Sequence, residues 1–269
     1  MSVYEAMHGS GILALRGGTE NWEGRSASRE PQNFAASSVC TRAPLSALSL
    51  PSLSKEPSFP FRRMNSSQAI PFPCTVSTGN SIVCIRPVTH EDRDRILEGL
   101  RAMSPETAYR RFFTPTFYPS EAELQYLTEV DGDTHMALGA VDCERDGTPG
   151  IGVARYVRLD TDPSIAEAAV VVIDAYQGRG IGSMLLSALS MYAGARGVET
   201  FRGYVLADNT AVLRYFRALG ASSDHTETGI VQVDVPVYTH RSELPTGPET
   251  ERMRRAWRHI EAPTPNECC

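Results

Sequence analysis

The stretch "DAYQGRGIGSMLLSAL", residues 174–189, places three glycines directly before an apolar segment with helical spacing. Gly178, Gly180 and Gly182 alternate with other residues, and apolar side chains then recur every three or four positions. Backbone N–H groups at the start of a helix have no intrahelical partners and carry the positive end of the helix dipole. Because the glycines leave this backbone uncovered, the segment predicts a site for an anion, most often a phosphate.

Known glycine-rich patterns match this turn to different degrees. A P-loop requires a lysine after its last glycine, and the turn contains none. A dinucleotide-binding turn matches Gly178 and Gly180, but Ser183 holds its third glycine position. Glu199 also precedes the next strand, whereas a ribose-binding acid would end it. A tight strand-to-helix corner without a ligand needs glycine as well, so the turn alone leaves these alternatives open.

The composition excludes several classes of protein. A chain of 269 residues with 41% hydrophobic content suits one good-sized domain with extensions. The net charge of −6 argues against a nucleic-acid partner. No stretch approaches the roughly 18 consecutive apolar residues of a membrane span, so we expect no membrane partner. The six cysteines show no metal-ligand spacing, and they indicate a reducing, cytoplasmic location.

The chain divides into three parts. Residues 1–80 are rich in Ser, Pro and Gly, which predicts a disordered N-terminal tail. This tail is either a transit peptide, which its glutamates disfavour, or an extension upstream of an alternative start at Met64. Residues 81–240 form the predicted domain, with 14 basic and 22 acidic side chains. Residues 241–269 form a C-terminal tail with a short amphipathic helix that packs on the domain or on a second copy, and the oligomeric state is not predicted.

The predicted domain alternates between strand and helix patterns. Capping residues mark three helix starts, at Thr89, Ser104 and Ser120. The predicted strands cover residues 81–88, 135–143, 150–159, 165–174, 200–207 and 229–237. The predicted helices cover residues 89–103, 121–130, 182–197 and 210–220, and a further one begins at Ser104. This order predicts one α/β domain whose first half is mostly antiparallel.

Several motifs resemble a known family in register. Gln177, Gly180 and Gly182 form Q-x-x-G-x-G, which resembles the acyl-CoA pyrophosphate loop of the GNAT acyltransferase superfamily. Four stretches resemble bacterial protein lysine acetyltransferases of the Pat type: "SPETAYRRFF" (104–113), "TEVD" (128–131), "VARYVR" (153–158) and "AEAAVVVIDAYQGRGIG" (166–182). The resemblance covers residues 82–237. It implies the GNAT fold, an α/β (α+β) domain whose central mixed, mostly antiparallel sheet is flanked by helices and splayed at the strand before the glycine turn.

The resemblance implies acetyl-CoA as cosubstrate and no metal. The pyrophosphate would bind the backbone at the helix start, and the pantetheine amides would pair with the strand before the turn. Asn209 resembles the family's asparagine that contacts the cofactor, although its residue type and position equally suit a plain N-cap. The implied binding residues are Val171, Val172, Ile173, Gln177, Gly178, Arg179, Gly180, Ile181, Gly182, Ser183 and Asn209.

Amine acetylation needs a base, because a lysine with a pKa of about 10.4 is almost entirely protonated at pH 7. Glu167 matches the glutamate that serves as base in the Pat-type enzymes, and it lies ten residues before Gln177 in an otherwise apolar strand. Its other interpretation is an exposed residue at a strand start. His135 and His225 are alternative bases, although each is more typical of an ordinary surface or core histidine.

One position departs from the family pattern. Many members place a tyrosine seven residues after the helix asparagine as the acid for the leaving thiolate, but Phe216 stands there. Tyr215 is adjacent, about 100° away around the helix, and is a poor substitute. Pat-type proteins also lack that tyrosine.

The resemblance implies acetyl transfer to a primary amine, with a protein lysine as the acceptor. An acyl-CoA synthetase is one such acceptor protein. Two alternatives stay open: a small-molecule amine acetyltransferase, and a non-catalytic acyl-CoA sensor on the same fold. A glutamate at the cleft favours an enzyme, because a sensor has no need of it.

Overall fold

Eight strands of the described residues form a mixed sheet. The computed structural model describes residues 72–77, 81–225 and 229–261. The strands are β1 (Cys74–Ser77), β2 (Ile82–Pro87), β3 (His135–Asp142), β4 (Gly150–Leu159), β5 (Asp162–Val172), β6 (Thr200–Leu206), β7 (Ser222–His225) and β8 (Ile230–Pro236). They lie in the order β1-β2-β3-β4-β5-β6-β8-β7. Only β5 and β6 are parallel among these neighbours, which confirms the predicted mixed, mostly antiparallel sheet.

Six α-helices of the described residues flank this sheet. They are α1 (Arg93–Arg101), α2 (Pro105–Phe112), α3 (Glu121–Thr128), α4 (Ile181–Gly194), α5 (Thr210–Ala218) and α6 (Glu251–Glu261). The Ser104 hydroxyl accepts a hydrogen bond from Thr107 N at 3.1 Å and so caps α2. Ser120 and Glu123 form the predicted capping box of α3. These side chains satisfy N–H groups that a helix start leaves without partners.

The first helix is shorter than the predicted 89–103. A 3-10 turn at His90–Asp92 precedes α1, which ends at Arg101. The buried Asp92 carboxylate accepts hydrogen bonds of 2.7 and 2.6 Å from the guanidinium of Arg86 on β2. This ion pair ties the turn to the sheet, and the α-helix begins only after it.

The helices cover both faces of the sheet. A Cβ added to Gly152 of β4 would lie 3.1 Å from Leu185 Cδ1 of α4, so this face of β4 packs against α4. The next residue, Val153, lies on the other face and lines a small cavity with Ile96 and Leu100 of α1. No helix in the described part of the chain is long and apolar enough to cross a membrane.

The folded domain extends beyond the predicted boundaries at residues 81 and 240. β1 pairs along its whole length with β2, although it lies in the Pro- and Ser-rich segment that was predicted to be tail. The predicted C-terminal helix is present as α6, and its apolar face packs against α4 and β1. β1 and β7 have only four residues each, too few for a periodic pattern to reveal. The rest of the predicted N-terminal tail and the alternative start at Met64 lie outside the described residues.

We predict that α6 is an integral part of the core. Trp257 is fully buried, so Trp257→Ala should lower the free energy of unfolding by about 3–5 kcal/mol, measured by urea denaturation. Arg258→Ala on the same helix removes only an exposed ion pair to Glu251 and should change it by less than about 0.5 kcal/mol. Equal, small effects would show that α6 is not needed for the domain.

Candidate active site

A cleft opens where β5 and β6 separate. Only three residue pairs join these parallel strands, and the last is Glu167 with Arg202. Beyond it, residues 168–172 of β5 have no partner on β6 but stay paired with β4. The gap forms a cleft of about 390 Å³. The predicted splay of the strand before the glycine turn is therefore confirmed.

The glycine turn leads directly into α4. Gly178 and Gly180 have φ angles of +76° and +85°, which favour glycine, and Gly180 is the N-cap residue of α4. No side-chain hydrogen bond caps this helix, and its first turn contains no acidic residue. A Cβ added to Gly178 or Gly180 would meet no atom within 4 Å. The helix start thus has the open surroundings and the electrostatics that a pyrophosphate requires.

Gln177 and Asp174 clamp α2 to the end of β5. The Gln177 amide donates to the Val172 carbonyl and to the Thr107 hydroxyl, both at 3.0 Å. The Asp174 carboxylate accepts from Ser104 N at 2.8 Å and from the Thr107 hydroxyl at 2.8 Å. The side chain of Gln177 therefore joins two elements of the cleft wall. The sequence motif did not reveal this contact, because Thr107 lies 70 residues away.

The predicted binding residues occupy different places. Val171, Val172, Gln177 and Asn209 line the cleft, whereas residues 178–183 form the turn and the first residues of α4. Ile173 differs from the prediction, because its N–H donates to Ile151 O at 3.0 Å and its carbonyl accepts from Tyr176 N at 2.9 Å.

The backbone groups of Ile173 are therefore both in use, and it offers no free N–H to an added strand. Arg179 is also engaged locally, since it donates to Ala175 O at 2.9 Å and stacks over the ring of Tyr176. Both findings follow from the 3-10 turn at Asp174–Tyr176, which folds the chain back on itself after β5.

Glu167 lies at the apex of the cleft, at the last paired position. Its side chain is not the exposed one of a strand start, since the residue is only 5% exposed. The Tyr204 hydroxyl donates to Glu167 Oε1 at 3.4 Å. Burial and the negative charge of Glu167 raise the pKa of Tyr204 to about 12, so that this tyrosine keeps its proton at neutral pH.

An ion pair lies next to Glu167 on the same face of the sheet. Arg202, its register neighbour on β6, donates hydrogen bonds of 2.9 and 2.7 Å to the Asp234 carboxylate on β8. Asp234 therefore offsets much of the positive charge beside Glu167. Both residues occupy polar positions in alternating strands, but only the strand register shows that they meet.

The two alternative bases lie away from the cleft. His135 is buried on β3, where it contacts the Arg155 guanidinium and stacks on Tyr126 with 4.6 Å between ring centroids. Burial and the charge of Arg155 lower the pKa of His135 to about 4, so it is neutral at pH 7. His225 lies on β7, which β8 separates from β6.

The start and the middle of α5 face the cleft. Asn209 caps the helix by accepting a hydrogen bond from Val212 N at 3.4 Å, and Asn209 also lines the cleft. Phe216 lines the cleft too, whereas the Tyr215 hydroxyl lies 3.4 Å from Ser183 Oγ on α4. The helix register assumed for these two residues is therefore confirmed. The described residues contain no cluster of three or more side chains able to hold a metal ion.

Comparison with known proteins places this geometry in a family. A family model described as "Acetyltransferase (GNAT) domain" matches residues 83–222. An acetyltransferase named Pat from Mycolicibacterium smegmatis is 41% identical over 172 residues, which cover 62% of this chain and 49% of that protein. An acetyltransferase of Pseudomonas aeruginosa is 31% identical over 138 residues, 51% of this chain and 74% of its own.

Similarity extends to solved structures. The GNAT domain of S. lividans PAT superposes with a TM-score of 0.54 at 28% identity, over 60% of this chain and 94% of that one. The chain spans about half the length of the M. smegmatis relative. The family match alone covers more than half of the sequence. The chain therefore belongs to the GNAT acetyltransferase family.

Proposed function

We propose that this protein transfers the acetyl group of acetyl-CoA to the side-chain amine of a protein lysine. The observation that carries the proposal is the position of Glu167, a buried carboxylate at the point where a strand edge becomes free. That edge leads to an uncapped helix start. A base, an edge for an extended ligand and an anion site thus lie along one cleft, in the order that an acyl-CoA thioester requires.

Acetyl-CoA binding is proposed at two places. The backbone N–H groups of residues 180–183 at the start of α4 hold the pyrophosphate. The backbone groups of residues 168–172 that point away from β4 then pair with the pantetheine amides as an added strand would, although the Val172 carbonyl already accepts from Gln177. Residues 168–172 span roughly 13 Å at about 3.3 Å per residue, and the pantetheine arm would follow them along the strand toward Glu167. Asn209, which lines the opposite wall, is proposed to contact the cofactor in addition to capping α5.

Glu167 is proposed to take the proton of the attacking amine. The amine nitrogen forms a bond to the thioester carbonyl carbon, the C–S bond breaks, and the CoA thiolate leaves. With a pKa near that of a cysteine, about 8.5, the thiolate leaves without a protein acid or takes its proton from water. This suits Phe216, which has no proton to donate.

The proposed acceptor is a cationic side chain of another protein, with an acyl-CoA synthetase as one candidate. The Pat-type motifs support a protein acceptor, whereas the excess of 22 acidic over 14 basic residues in 81–240 suits any cationic acceptor. The excess of negative charge attracts a lysine before it reaches the base. A cytoplasmic location stays a prediction of the sequence.

Replacing Gly180 should remove acetyl-CoA binding. Gly180→Val adds a branched side chain where the pyrophosphate would touch the backbone, so affinity measured by calorimetry should fall at least about tenfold. Gly197→Val is the matched control, because Gly197 has a φ of +82° with equally open surroundings. Both variants carry the same backbone strain, and only the first should lose binding. Unchanged affinity in Gly180→Val would refute the anion site.

Glu167→Gln should lower turnover by about 10²-fold or more at pH 7 while leaving acetyl-CoA affinity intact. The deficit should shrink as the pH rises toward about 10.4, since the amine then arrives neutral without a base. Tyr215→Phe should leave turnover at saturating acetyl-CoA nearly unchanged, because that hydroxyl lies beside Ser183 and does not line the cleft where the amine reacts. A deficit that stays constant with pH would assign Glu167 to positioning, and full activity would exclude it from the reaction.

The acceptor is tested in the same assay. Turnover of acetyl-CoA is measured with a purified acyl-CoA synthetase, with the same protein carrying arginine in place of its lysines, and with a panel of small amines. The proposal expects activity that depends on the protein's lysines. Activity with small amines alone would favour the small-molecule alternative, and binding without any turnover would favour the sensor.

A further inference from the structure

One cation in the cleft has no counter-ion among the described residues. Arg110 pairs with Glu106 at 2.6 Å, Arg202 pairs with Asp234, and Glu167 and Asp174 accept hydrogen bonds. Among the charged side chains that line the cleft in the described part of the chain, Arg111 alone makes no hydrogen bond or ion pair. Its guanidinium carbon lies over the ring of the neighbouring Phe112, 4.8 Å from the ring centroid.

Arg111 is partly withdrawn from bulk water. The residue is half-buried and lines both the cleft and the smaller cavity beneath α1. Burial lowers the pKa of its guanidinium to about 10, which still leaves it charged at pH 7. A charged group partly removed from water without a partner loses part of its hydration, and its guanidinium donors fit the two oxygens of a carboxylate.

A second arginine adds to the positive potential. Arg155 on β4 donates to the carbonyls of Tyr126 and Leu127 and contacts the neutral His135. No carboxylate in the described residues pairs with it. Burial, together with the charge of Arg111, lowers the pKa of Arg155 to about 10, so the two cations lie close enough to repel each other. An anion placed between the cleft and α2 would relieve that repulsion.

This positive potential lies beside β5. Arg155 is paired in register with Ala169, two residues along β5 from Glu167. The helix α2 is clamped at Thr107 to the far end of β5, and Arg111 follows one helical turn later. Arg111 and Arg155 both line the small cavity that Ala169 also lines, so the guanidinium lies beside the strand edge that leads to Glu167.

We propose that Arg111 is a carboxylate-binding subsite of the cleft, which binds a carboxylate carried by one of the two substrates. Its source is either the terminal carboxylate of a dicarboxylic acyl-CoA or an acidic side chain beside the acceptor lysine. The inference rests on the proposed function. The inference extends the proposed function by naming a carboxylate as the group that the site selects in its substrates.

The test compares the full chain with Arg111→Gln and with Arg111→Lys, which keeps the charge. In one arm, calorimetry gives the affinity ratio of succinyl-CoA to acetyl-CoA. In the other, kinetics with acetyl-CoA give the kcat/KM ratio of lysine peptides flanked by Glu or by Gln. Arg110→Gln is the matched control. It removes a positive charge from the same helix, but Glu106 already pairs with that charge.

The wild-type protein should favour the carboxylate-bearing substrate in one arm. That arm shows whether the carboxylate belongs to the acyl-CoA or to the acceptor protein. Arg111→Gln should reduce this preference at least about tenfold, Arg111→Lys should retain part of it, and Arg110→Gln should retain it fully. If the wild type shows no preference in either arm while it binds and turns over acetyl-CoA, the subsite is refuted and the proposed function stands. If it binds no acetyl-CoA at all, the proposed function itself has failed.

Discussion

The early end of pairing between β5 and β6 is the feature on which the rest of the site depends. The two strands part after Glu167 and Arg202, so five residues of β5 keep one edge without a strand partner. A strand in the interior of a sheet is normally paired along both edges. Backbone groups that are left unpaired at such an edge readily accept an added strand. The same parting leaves a buried carboxylate at the apex, where the chemistry of an amine would need a base.

Packing holds the parted strand in place. Gly152 of β4 lies so close that an added Cβ would be 2.9 Å from Val171 O, and glycine is therefore required there. At this contact β5 packs closely against β4, and Gly152 also lies close to α4. Gln177 and Asp174 tie the end of β5 to α2. The cleft walls are thus fixed by full pairing on one side and by hydrogen bonds at the end. A preformed site of this kind spares a ligand the cost of ordering it.

Local features of the site were predictable, and long-range ones were not. The glycine turn, the capping boxes and the core strand that carries Glu167 each leave a signature within ten or so residues. The Arg202–Asp234 pair and the Gln177–Thr107 contact join positions 32 and 70 residues apart, and no local pattern encodes such a register. The family resemblance placed Ile173 on the free edge, but the 3-10 turn that follows uses its backbone. Arg111 was part of a quoted motif, and only its surroundings show that no described residue is its counter-ion.

Residue-resolved hydrogen exchange tests the central claim most directly, because it reports on the backbone groups that acetyl-CoA should engage. The account predicts that saturating acetyl-CoA slows exchange by at least about tenfold beyond the change in the β1–β2 pair, both at those amides of residues 168–172 of β5 that point away from β4 and at residues 180–183 at the start of α4. The β1–β2 amides serve as the internal reference for global stabilisation. Protection that rises equally throughout the sheet, or that leaves β5 unchanged, would contradict the claim that the parted strand receives the pantetheine arm.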